Sequence, residues 1–538
     1  MIGFNIGAQT TKFSLGKVSS NKIIKNLNDF KENILLNNNS EKIILSIIQF
    51  KESERLYGES SKLNKNYYLS TFNNLSRLIG FMYNLEMNNI ETKYFNTLDN
   101  YDKELTAFYF NFNSNFYKFP SEYCVCAFLS KVLNTIKLNN NEIKKFIFSI
   151  PDYYTYYQKE SLKNILLSLD IKNNFHFLNE STALTMYYGC LNYQQLTNEN
   201  KYLIFIDSGH SKTSFILSEF SKKKFIVKEV ENILFFGGRD FNKAIFNFCL
   251  EKFKKEHKRP LKLNIKNKIE LIEEIEKIRI NLSINNEVEI NIKSIEENID
   301  FKHKIKRKEF EQLIYEEIND FKKKFKSFYN KVKRYEPEKI VIGNQLMNTP
   351  ILEKIIKEIS HLPILKTINF NECHSLGSLL YETFILENNK FEELEYVKSY
   401  NMYSIYYSIN NSNKQILIKK GENIPNEGSI NLNNIAQFNY IVNLNVFYDK
   451  NEFKNLGIDK IKNFYTYNID LNNLFVKNKI LFLDYSIDES NELILKLNNS
   501  NILDFGLKIN IKNSFSNKAI IKSYKELEKY FKTKDKNI

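Results

Sequence analysis

Two segments of the chain carry residue types that can hold an anion. Both read Asx, glycine two residues later, then Thr and Phe; the positions are Asn5, Gly7, Thr11 and Phe13, and Asp207, Gly209, Thr213 and Phe215. A glycine at such a turn lets backbone N–H groups approach a phosphate, and its polar neighbours can hold oxygens or the water shell of a metal. The pair predicts a phosphate clamp made of two equivalent strand–turn–strand units. Two ordinary hairpins with Asx turns are the alternative interpretation.

A third glycine site, Gly237-Gly238, directly precedes an amphipathic segment that is predicted to be a helix. Paired glycines at a helix N-terminus can approach a phosphate or sugar, and the helix dipole favours the anion. A structural turn explains the same pair equally well, so this site supports the clamp only together with the other two.

The remaining reactive side chains favour no other chemistry. No Ser/His/Asp or Cys/His arrangement is present, and no metal site is predicted. His210 lies inside the second glycine turn, where contact with a phosphate and a structural role are equally favoured. The other histidines are spaced too irregularly for metal ligands and are expected to be structural: His176, His257, His303, His361 and His374.

The elements that must position these turns alternate between strands and helices up to about residue 385, which favours an α/β architecture. The predicted strands are 2–6, 43–48, 145–150, 202–207 and 339–342, and the predicted helices are 121–137, 157–169, 181–188, 240–256, 269–281 and 310–333. From about residue 396, short alternating runs separated by turn residues predict an antiparallel β domain. Those runs are 402–409, 415–419, 438–448, 464–469, 479–485, 492–497 and 503–511.

Composition bounds the class of protein. The chain has 538 residues but only 15 glycines and 7 prolines, which excludes collagen-like and Gly/Pro-rich disordered classes. Lys and Arg number 77 against 63 Asp and Glu, for a net charge of +14. Because the lysines are spread along the chain, compositional drift explains the charge better than a nucleic-acid-binding face. We expect no membrane partner and no sequence-specific nucleic-acid partner.

The cysteines indicate the compartment. There are 5, scattered along the chain, and an odd, scattered set predicts buried free thiols rather than a disulfide framework. The N-terminus has no basic region or cleavage site, and no apolar run reaches the roughly 18 residues of a membrane span. The expected location is therefore the cytoplasm.

Taken in order, the motifs resemble the 70-kDa heat-shock protein superfamily. They are Ile2-Gly3-Phe4-Asn5-Ile6-Gly7, Ser149-Ile-Pro151, Leu178-Asn179-Glu180, Asp207-Ser-Gly209, Gly237-Gly238, Glu276-Lys-Ile-Arg279 with Ser283, a loop near Gly343, and Asn371-Glu372 with Gly377. The resemblance implies a two-lobed, duplicated, ribonuclease-H-like and actin-like ATPase domain over 1–385, with the second lobe starting near 190–200. A linker over 386–398, a β-sandwich peptide-binding-like domain over 399–513 and a short helical, basic tail over 514–538 follow. That tail is too short for the family's C-terminal helical lid, so a truncated member is expected.

Two details favour the large, 110-kDa branch of the superfamily. His210-Ser211 stands where the foldases have Gly-Gly, and Gly237-Gly-Arg239-x-Phe241 is similar to that branch. The resemblance implies a co-chaperone that acts as nucleotide-exchange factor for a 70-kDa chaperone and as holdase for unfolded polypeptide. It further implies ATP or ADP with Mg²⁺ as the cofactor. The residues it carries over to the nucleotide are Gly7, Ala8, Gln9, Glu180, Asp207, Gly209, His210, Ser211, Gly237, Gly238, Glu276, Arg279, Ser283 and Gly343.

The sequence departs from the family at its chemical centre. The expected aspartate of the first turn is Asn5, the expected catalytic lysine aligns with Ser76, and the expected second-turn aspartate aligns with Ser214; Lys212 replaces a threonine. Phosphoryl transfer depends on positioned cations and carboxylates, each worth about 2–4 kcal/mol to the transition state. Glu180 and Asp207 are retained, but no residue is assigned a catalytic role. We expect a nucleotide-binding protein with weak or absent hydrolysis.

Two alternatives stay open. One is a ribosome-associated, non-hydrolysing member of the superfamily that works with a J-domain protein, with which the +14 charge is compatible. The other is an active ATP-dependent foldase that uses rearranged residues.

Overall fold

The computed structural model describes residues 1–15, 43–51, 54–63, 67, 70–80, 98–101, 105–112, 115–139, 145–171, 174–263, 265–296, 299–386, 391, 393–410, 412–431, 441–448, 465–470, 481–488, 493–499 and 507–508. The predicted tail over 514–538 lies outside them, and so does most of the predicted strand 503–511.

The first lobe extends from the N-terminus to residue 191. Its strands are β1 (Ile2–Ile6), β2 (Thr10–Leu15), β3 (Ile43–Leu45), β4 (Ile48–Phe50), β5 (Arg55–Tyr57), β6 (Thr71–Phe72), β7 (Leu98–Tyr101), β8 (Leu105–Phe112), β9 (Asn115–Pro120), β10 (Phe146–Ile150) and β11 (Phe175–Asn179). Its helices are α1 (Glu59–Leu63), α2 (Ser121–Asn139), α3 (Tyr156–Ser168) and α4 (Glu180–Leu191), with a 3-10 turn over Leu75–Arg77.

The second lobe follows with the same kinds of element. Its strands are β12 (Lys201–Ser208), β13 (Thr213–Phe220), β14 (Lys224–Ile233), β15 (Glu287–Glu296), β16 (Ile299–Lys306), β17 (Lys339–Gly343) and β18 (Ile364–Leu365). Its helices are α5 (Gly238–His257), α6 (Ile265–Ile284), α7 (Arg307–Leu313), α8 (Tyr315–Val332), α9 (Pro350–Ser360) and α10 (Cys373–Tyr381), with short turns at Tyr193–Gln195, Lys333–Tyr335, Gln345–Asn348 and Glu382–Leu386.

The two lobes share one topology. The central sheet of the first lobe has the order β11-β10-β1-β2-β3, and the second lobe repeats it as β18-β17-β12-β13-β14. In each lobe three antiparallel strands are joined by two parallel ones, because the latter are connected through helices. The predicted α/β fold with two duplicated lobes is confirmed.

The apolar pattern explains why these segments form these elements. β1, β10 and β13 are buried along their whole length, as expected for central strands covered on both faces. Helix α8 buries Phe321, Phe325 and Phe328, whose three- and four-residue spacing puts them on one face. That face contacts Phe215 of β13, with ring centroids 5.5 Å and 5.4 Å from those of Phe321 and Phe325.

Helix α10 lies between the lobes, and glycines let it approach. A Cβ on Gly377 would collide with the carbonyl oxygen of Ala183 in α4, and a Cβ on Gly3 would collide with that of Ser375. The close packing fixes the start of α10 beside the turns that follow β1 and β12.

The β domain consists of β19 (Tyr396–Tyr400), β20 (Ile405–Ile409), β21 (Gln415–Ile418), β22 (Asn423–Ile424), β23 (Asn426–Asn431), β24 (Ile441–Tyr448), β25 (Tyr465–Asp470), β26 (Leu481–Ile487), β27 (Leu493–Asn499) and β28 (Leu507–Lys508). Two four-stranded antiparallel sheets, β21-β20-β24-β25 and β23-β26-β27-β28, share one apolar core. The predicted β-sandwich is confirmed.

Three local expectations differ from the structure. The predicted strand 43–48 is two strands in different sheets, because the chain turns at Ser46 and Ile47. The predicted helix 310–333 is broken at Ile314 into α7 and α8. Residues 396–398 of the predicted linker belong to β19, which pairs in parallel with β14 and so extends the sheet of the second lobe.

The β domain contacts the first lobe through tyrosines. The Tyr403 hydroxyl donates to the carbonyl oxygen of Tyr153 at 2.9 Å, and the backbone N–H of Tyr156 donates to the Tyr448 hydroxyl at 3.2 Å. The β domain therefore packs beside the segment that joins β10 to α3.

Candidate functional site

A cleft of about 570 Å³ lies between the two lobes. Its floor contains the two turns that the repeat predicts, one after β1 and one after β12. The Gly7 N–H donates to the carbonyl oxygen of Thr10 at 3.0 Å, and the Gly209 N–H donates to that of Lys212 at 2.8 Å. The same bond at the same position closes both turns, so the two turns are structurally equivalent.

Most of the residues that the resemblance carries to a nucleotide line this cleft: Gly7, Ala8, Gln9, Glu180, Asp207, Gly209, His210, Ser211, Gly238, Glu276, Arg279 and Gly343. Gly237 lies beneath the second turn instead, where a Cβ would approach the Ser211 nitrogen to 2.5 Å. Its own N–H donates to Asp240 at 2.8 Å, so it begins α5. The Ser283 hydroxyl donates back to the carbonyl oxygen of Ile280 at 2.6 Å and does not line the cleft.

The first retained carboxylate, Glu180, begins α4 and points into the cleft. Its Oε1 accepts from the Asn5 side-chain amide at 2.8 Å, and its Oε2 forms an ion pair with Lys212 at 2.7 Å. Burial raises the pKa of Glu180, but Lys212 and His374 outweigh burial and hold that pKa below its usual value. The group is therefore a carboxylate at neutral pH.

The second retained carboxylate, Asp207, ends β12 and is held by two side chains of the second lobe. Its Oδ1 accepts from the Asn344 amide at 2.8 Å, and its Oδ2 lies 3.4 Å from Nε2 of His374. Burial opposes ionisation, but His374 and Lys212 lower the pKa of Asp207 to about 2.

Lys212 supplies the positive charge between these carboxylates. Besides Glu180, it donates to the Ser214 hydroxyl at 3.0 Å, and its Nζ lies 5.9 Å from the ring centroid of Tyr153. Burial lowers the pKa of Lys212, but Glu180, Asp207 and Asp152 raise it above its usual value. The ammonium group therefore stays charged in the cleft.

The position of the expected catalytic lysine holds no cation. Ser76 is buried in a 3-10 turn, and its carbonyl oxygen accepts from the Tyr154 hydroxyl at 2.6 Å. The adjacent guanidinium of Arg77 lies 5.7 Å from the ring centroid of Tyr153 and 5.3 Å from that of Phe235. Arg77 is thus enclosed by aromatic side chains while it lines one edge of the cleft.

The opposite wall connects the lobes directly. The Gln9 amide of the first turn donates to Oε1 of Glu276 in α6 at 2.9 Å. On the same wall, Arg279 donates to Asn242 at 2.7 Å. Burial and the charges of Arg239 and Arg279 lower the pKa of His210 to about 3, so this imidazole is neutral at pH 7.

The sequence reasoning missed two groups that face Asp207. His374, expected to be only structural, and Asn344 both line the cleft. The usable signal was the motif Asn371-Glu372 with Gly377, because it already placed α10 near the nucleotide and His374 lies inside it. Asn344 adjoins Gly343, for which a loop was expected.

The carboxylates of the cleft that could face a metal or its water shell already have protein partners. Among the described residues, no group of three or more His, Cys, Asp and Glu side chains could hold a metal ion. Mg²⁺ needs oxygen ligands in near-octahedral arrangement, usually with retained waters. The oxygens of Glu180 and Asp207 instead face Asn5, Lys212, Asn344 and His374.

Two duplicated α/β lobes with paired turns in the intervening cleft define the actin-like ATPase class of fold. The family model described as Hsp70 protein matches residues 13–471, so the chain belongs to the Hsp70 family.

The five cysteines are buried free thiols, as predicted. No helix in the described part of the chain is both long and apolar enough to cross a membrane.

Several curated proteins are similar. A heat shock protein homolog of Saccharomyces cerevisiae is 24% identical over 446 residues, or 80% of this chain and 63% of the relative. Heat shock protein 88 of Dictyostelium discoideum is 25% identical over 64% of this chain and 45% of the relative. Heat shock 70 kDa protein 16 of Arabidopsis thaliana is 22% identical over 79% of this chain and 55% of the relative. The chain thus spans less than two thirds of these relatives, and the yeast homolog supports the expected 110-kDa branch.

Proposed function

We propose that the chain binds ATP or ADP in the cleft between its lobes. The observation that carries this proposal is the pair of equivalent turns, each closed by the same backbone bond and each facing the cleft. A backbone turn of this kind presents N–H groups to a phosphate. The phosphates contact the turns at Gly7, Ala8, Gln9, Gly209, His210 and Ser211, and the adenosine lies against Gly238, Glu276, Arg279 and Gly343. Gly237 packs beneath the second turn and Ser283 is bonded within α6, so neither contacts the nucleotide in this proposal.

Hydrolysis is slow or absent in this proposal. The amide of Asn5 donates to Glu180 where a carboxylate was expected, so this position carries no negative charge and cannot take up a proton as a base. Ser76 offers no cation to the γ-phosphate. Lys212 is charged, but its ion pair with Glu180 holds it in the second turn and not at the first-lobe position that the family resemblance gives to the catalytic lysine.

The wider function is that of a co-chaperone in the cytoplasm. The chain accelerates ADP release from a 70-kDa chaperone and holds unfolded polypeptide through its β domain. Membership of the Hsp70 family and relatives named as heat shock proteins support this role. Five buried thiols support a reducing compartment.

The test measures release of a fluorescent ADP analogue from a 70-kDa chaperone of the same organism, chased with excess ATP. We expect the chain to accelerate release, whereas an unrelated protein at equal concentration does not. An unchanged rate contradicts the exchange role. If the chain then sediments with ribosomes, the ribosome-associated alternative replaces it.

A further inference from the structure

The charges of the cleft are unusual for a nucleotide site that relies on a divalent metal. Basic side chains outnumber acidic ones among the lining residues: Lys12, Arg77, Lys212, Arg279 and Lys366 against Glu180, Asp207 and Glu276. The protein itself therefore provides positive charge for the phosphates.

Lys212 occupies the centre of this arrangement. Its side chain is 13% exposed, and its Nζ lies 2.7 Å from Oε2 of Glu180. Asp207 and Asp152 also act on its charge. One ammonium group thus faces the carboxylates that a metal's water shell would otherwise contact.

The remaining carboxylate oxygens are taken. Asn5 donates to Oε1 of Glu180, Asn344 donates to Oδ1 of Asp207, and His374 faces Oδ2 of Asp207. A hydrated divalent ion entering here would either lie beside the charged Lys212 or displace it from a partly buried ion pair. Both are costly, because like charges repel and an unpaired charge in a low-dielectric site lacks solvent compensation. Phosphate oxygens need no such displacement, because an ammonium group has three N–H donors and only two of them are directed at Glu180 and Ser214.

We propose that Lys212 serves as a built-in cation in place of Mg²⁺, so that the cleft binds ATP and ADP without a divalent metal. This inference rests on the proposed nucleotide binding. It adds that the site needs no divalent metal ion and that Lys212 binds the phosphates.

Calorimetric titration with ADP and with ATP tests it, once with excess Mg²⁺ and once with EDTA. We expect the two dissociation constants for each nucleotide to differ by less than about threefold, which corresponds to less than about 0.7 kcal/mol. Binding that is measurable only with Mg²⁺ overturns the inference and leaves the proposed function intact. Absence of binding under both conditions overturns both.

Variants identify the responsible cation. Lys212→Met keeps most of the side-chain volume but removes the charge, so affinity in EDTA should fall at least about tenfold, which corresponds to about 1.4 kcal/mol. Lys212→Arg retains the charge and should retain most of the affinity. The matched control is Lys354→Met, because Lys354 is 69% exposed and lies on α9 outside the cleft. Equal affinity of Lys212→Met and wild type in EDTA contradicts the assignment.

A gain of metal dependence provides a second test if Lys212→Met folds poorly. The double variant Lys212→Thr, Ser214→Asp gives the second turn the residue types that the family resemblance implies. It should bind ADP more tightly with Mg²⁺ than with EDTA, and its melting temperature in ADP should rise when Mg²⁺ is added. If wild type shows the same rise, Lys212 does not replace the metal.

Discussion

The turn after β1 and the turn after β12 have the same closing hydrogen bond but different side-chain chemistry. Each is closed by a bond from a glycine N–H to the carbonyl oxygen three residues later. The first turn, residues 5–10, contains no ionisable side chain, whereas the second, residues 207–213, contains Asp207, His210 and Lys212. Positive charge that the family resemblance places near Ser76 of the first lobe lies in the second turn of this chain.

The two turns show that the backbone conformation of a phosphate-binding turn and the position of the nearby cation can diverge independently. A turn that brings N–H groups to a phosphate depends on backbone conformation and on the space around its glycine. A cation can reach the same phosphate from either lobe, because charge acts through space and tolerates a change of origin. Binding can therefore persist while the geometry required for hydrolysis is lost.

The largest difference that we expect is in stability, between alanine substitutions at the two turn glycines, Gly7 and Gly209. A Cβ on Gly7 would lie 2.6 Å from the carbonyl oxygen of Thr10, the acceptor that closes the turn, whereas a Cβ on Gly209 would lie 3.8 Å from its nearest neighbour. Gly7→Ala should lower the free energy of unfolding by about 3 kcal/mol because the backbone must move, and Gly209→Ala by less than about 0.5 kcal/mol. Urea denaturation of both variants measures the difference; equal losses would contradict the structural contrast.

A medium effect concerns the contact from the first turn to the second lobe. Gln9→Ala removes the 2.9 Å hydrogen bond to Glu276, which spans the cleft. A bond of this kind contributes about 1 kcal/mol, so nucleotide should dissociate about fivefold faster. Stopped-flow release of a fluorescent ADP analogue gives the rate. Glu276→Ala should accelerate release at least as much, because Glu276 also lies against the proposed adenosine position. The double variant should be faster than either single one by less than the product of the two effects; independent effects would show that the bond does not hold the cleft.

The smallest effect at neutral pH concerns the second turn alone. The pKa of His210 is lowered to about 3, mainly by burial and also by Arg239 and Arg279. A histidine in the unfolded chain has a pKa near 6.5. Between pH about 6.5 and about 3, His210 is therefore protonated in the unfolded chain but not in the folded protein. The stability is therefore full above pH about 6.5 and falls as the pH drops toward about 3.

His210→Gln should flatten that acid dependence and leave the stability at pH 8 nearly unchanged. Thermal unfolding from pH 8 to pH 4.5 measures it, with His361→Gln as the control, because His361 lies at the exposed C-terminal end of α9. A wild type and a His210→Gln variant with parallel pH profiles would show that His210 titrates normally.

Positions fixed by backbone needs were predictable from the sequence. Gly7 and Gly237 lie where a Cβ would collide with backbone atoms, so glycine is required there. These glycines therefore remained recognisable in a sequence that is otherwise poor in glycine. The repeat predicted two equivalent turns because a turn is determined by residues close in sequence. The alternation of strands and helices predicted an α/β sheet because the apolar periodicity of each segment agrees with its burial.

Partners that meet only through tertiary packing were not predictable. His374 reaches Asp207 because α10 packs closely on α4. The motif around Gly377 indicated where α10 lies but not which of its side chains faces Asp207. The position of β19 was likewise not predictable, because its residue pattern is similar to that of the strands that follow it. In the structure it pairs with β14, and its Val397 is buried against the second lobe. The split at residues 46–47 was missed because a single serine, Ser46, is the only polar residue within the run 43–48.

A nucleotide cleft that binds ATP but hydrolyses it slowly or not at all can be recognised in a single-turnover experiment. The chain is saturated with radiolabelled ATP, separated from free nucleotide, and sampled over time in a single-turnover assay beside a working 70-kDa chaperone. We expect this chain to retain stoichiometric ATP that remains unhydrolysed long after the reference has converted its own to ADP. Conversion at the reference rate, or failure to retain any nucleotide, would contradict it.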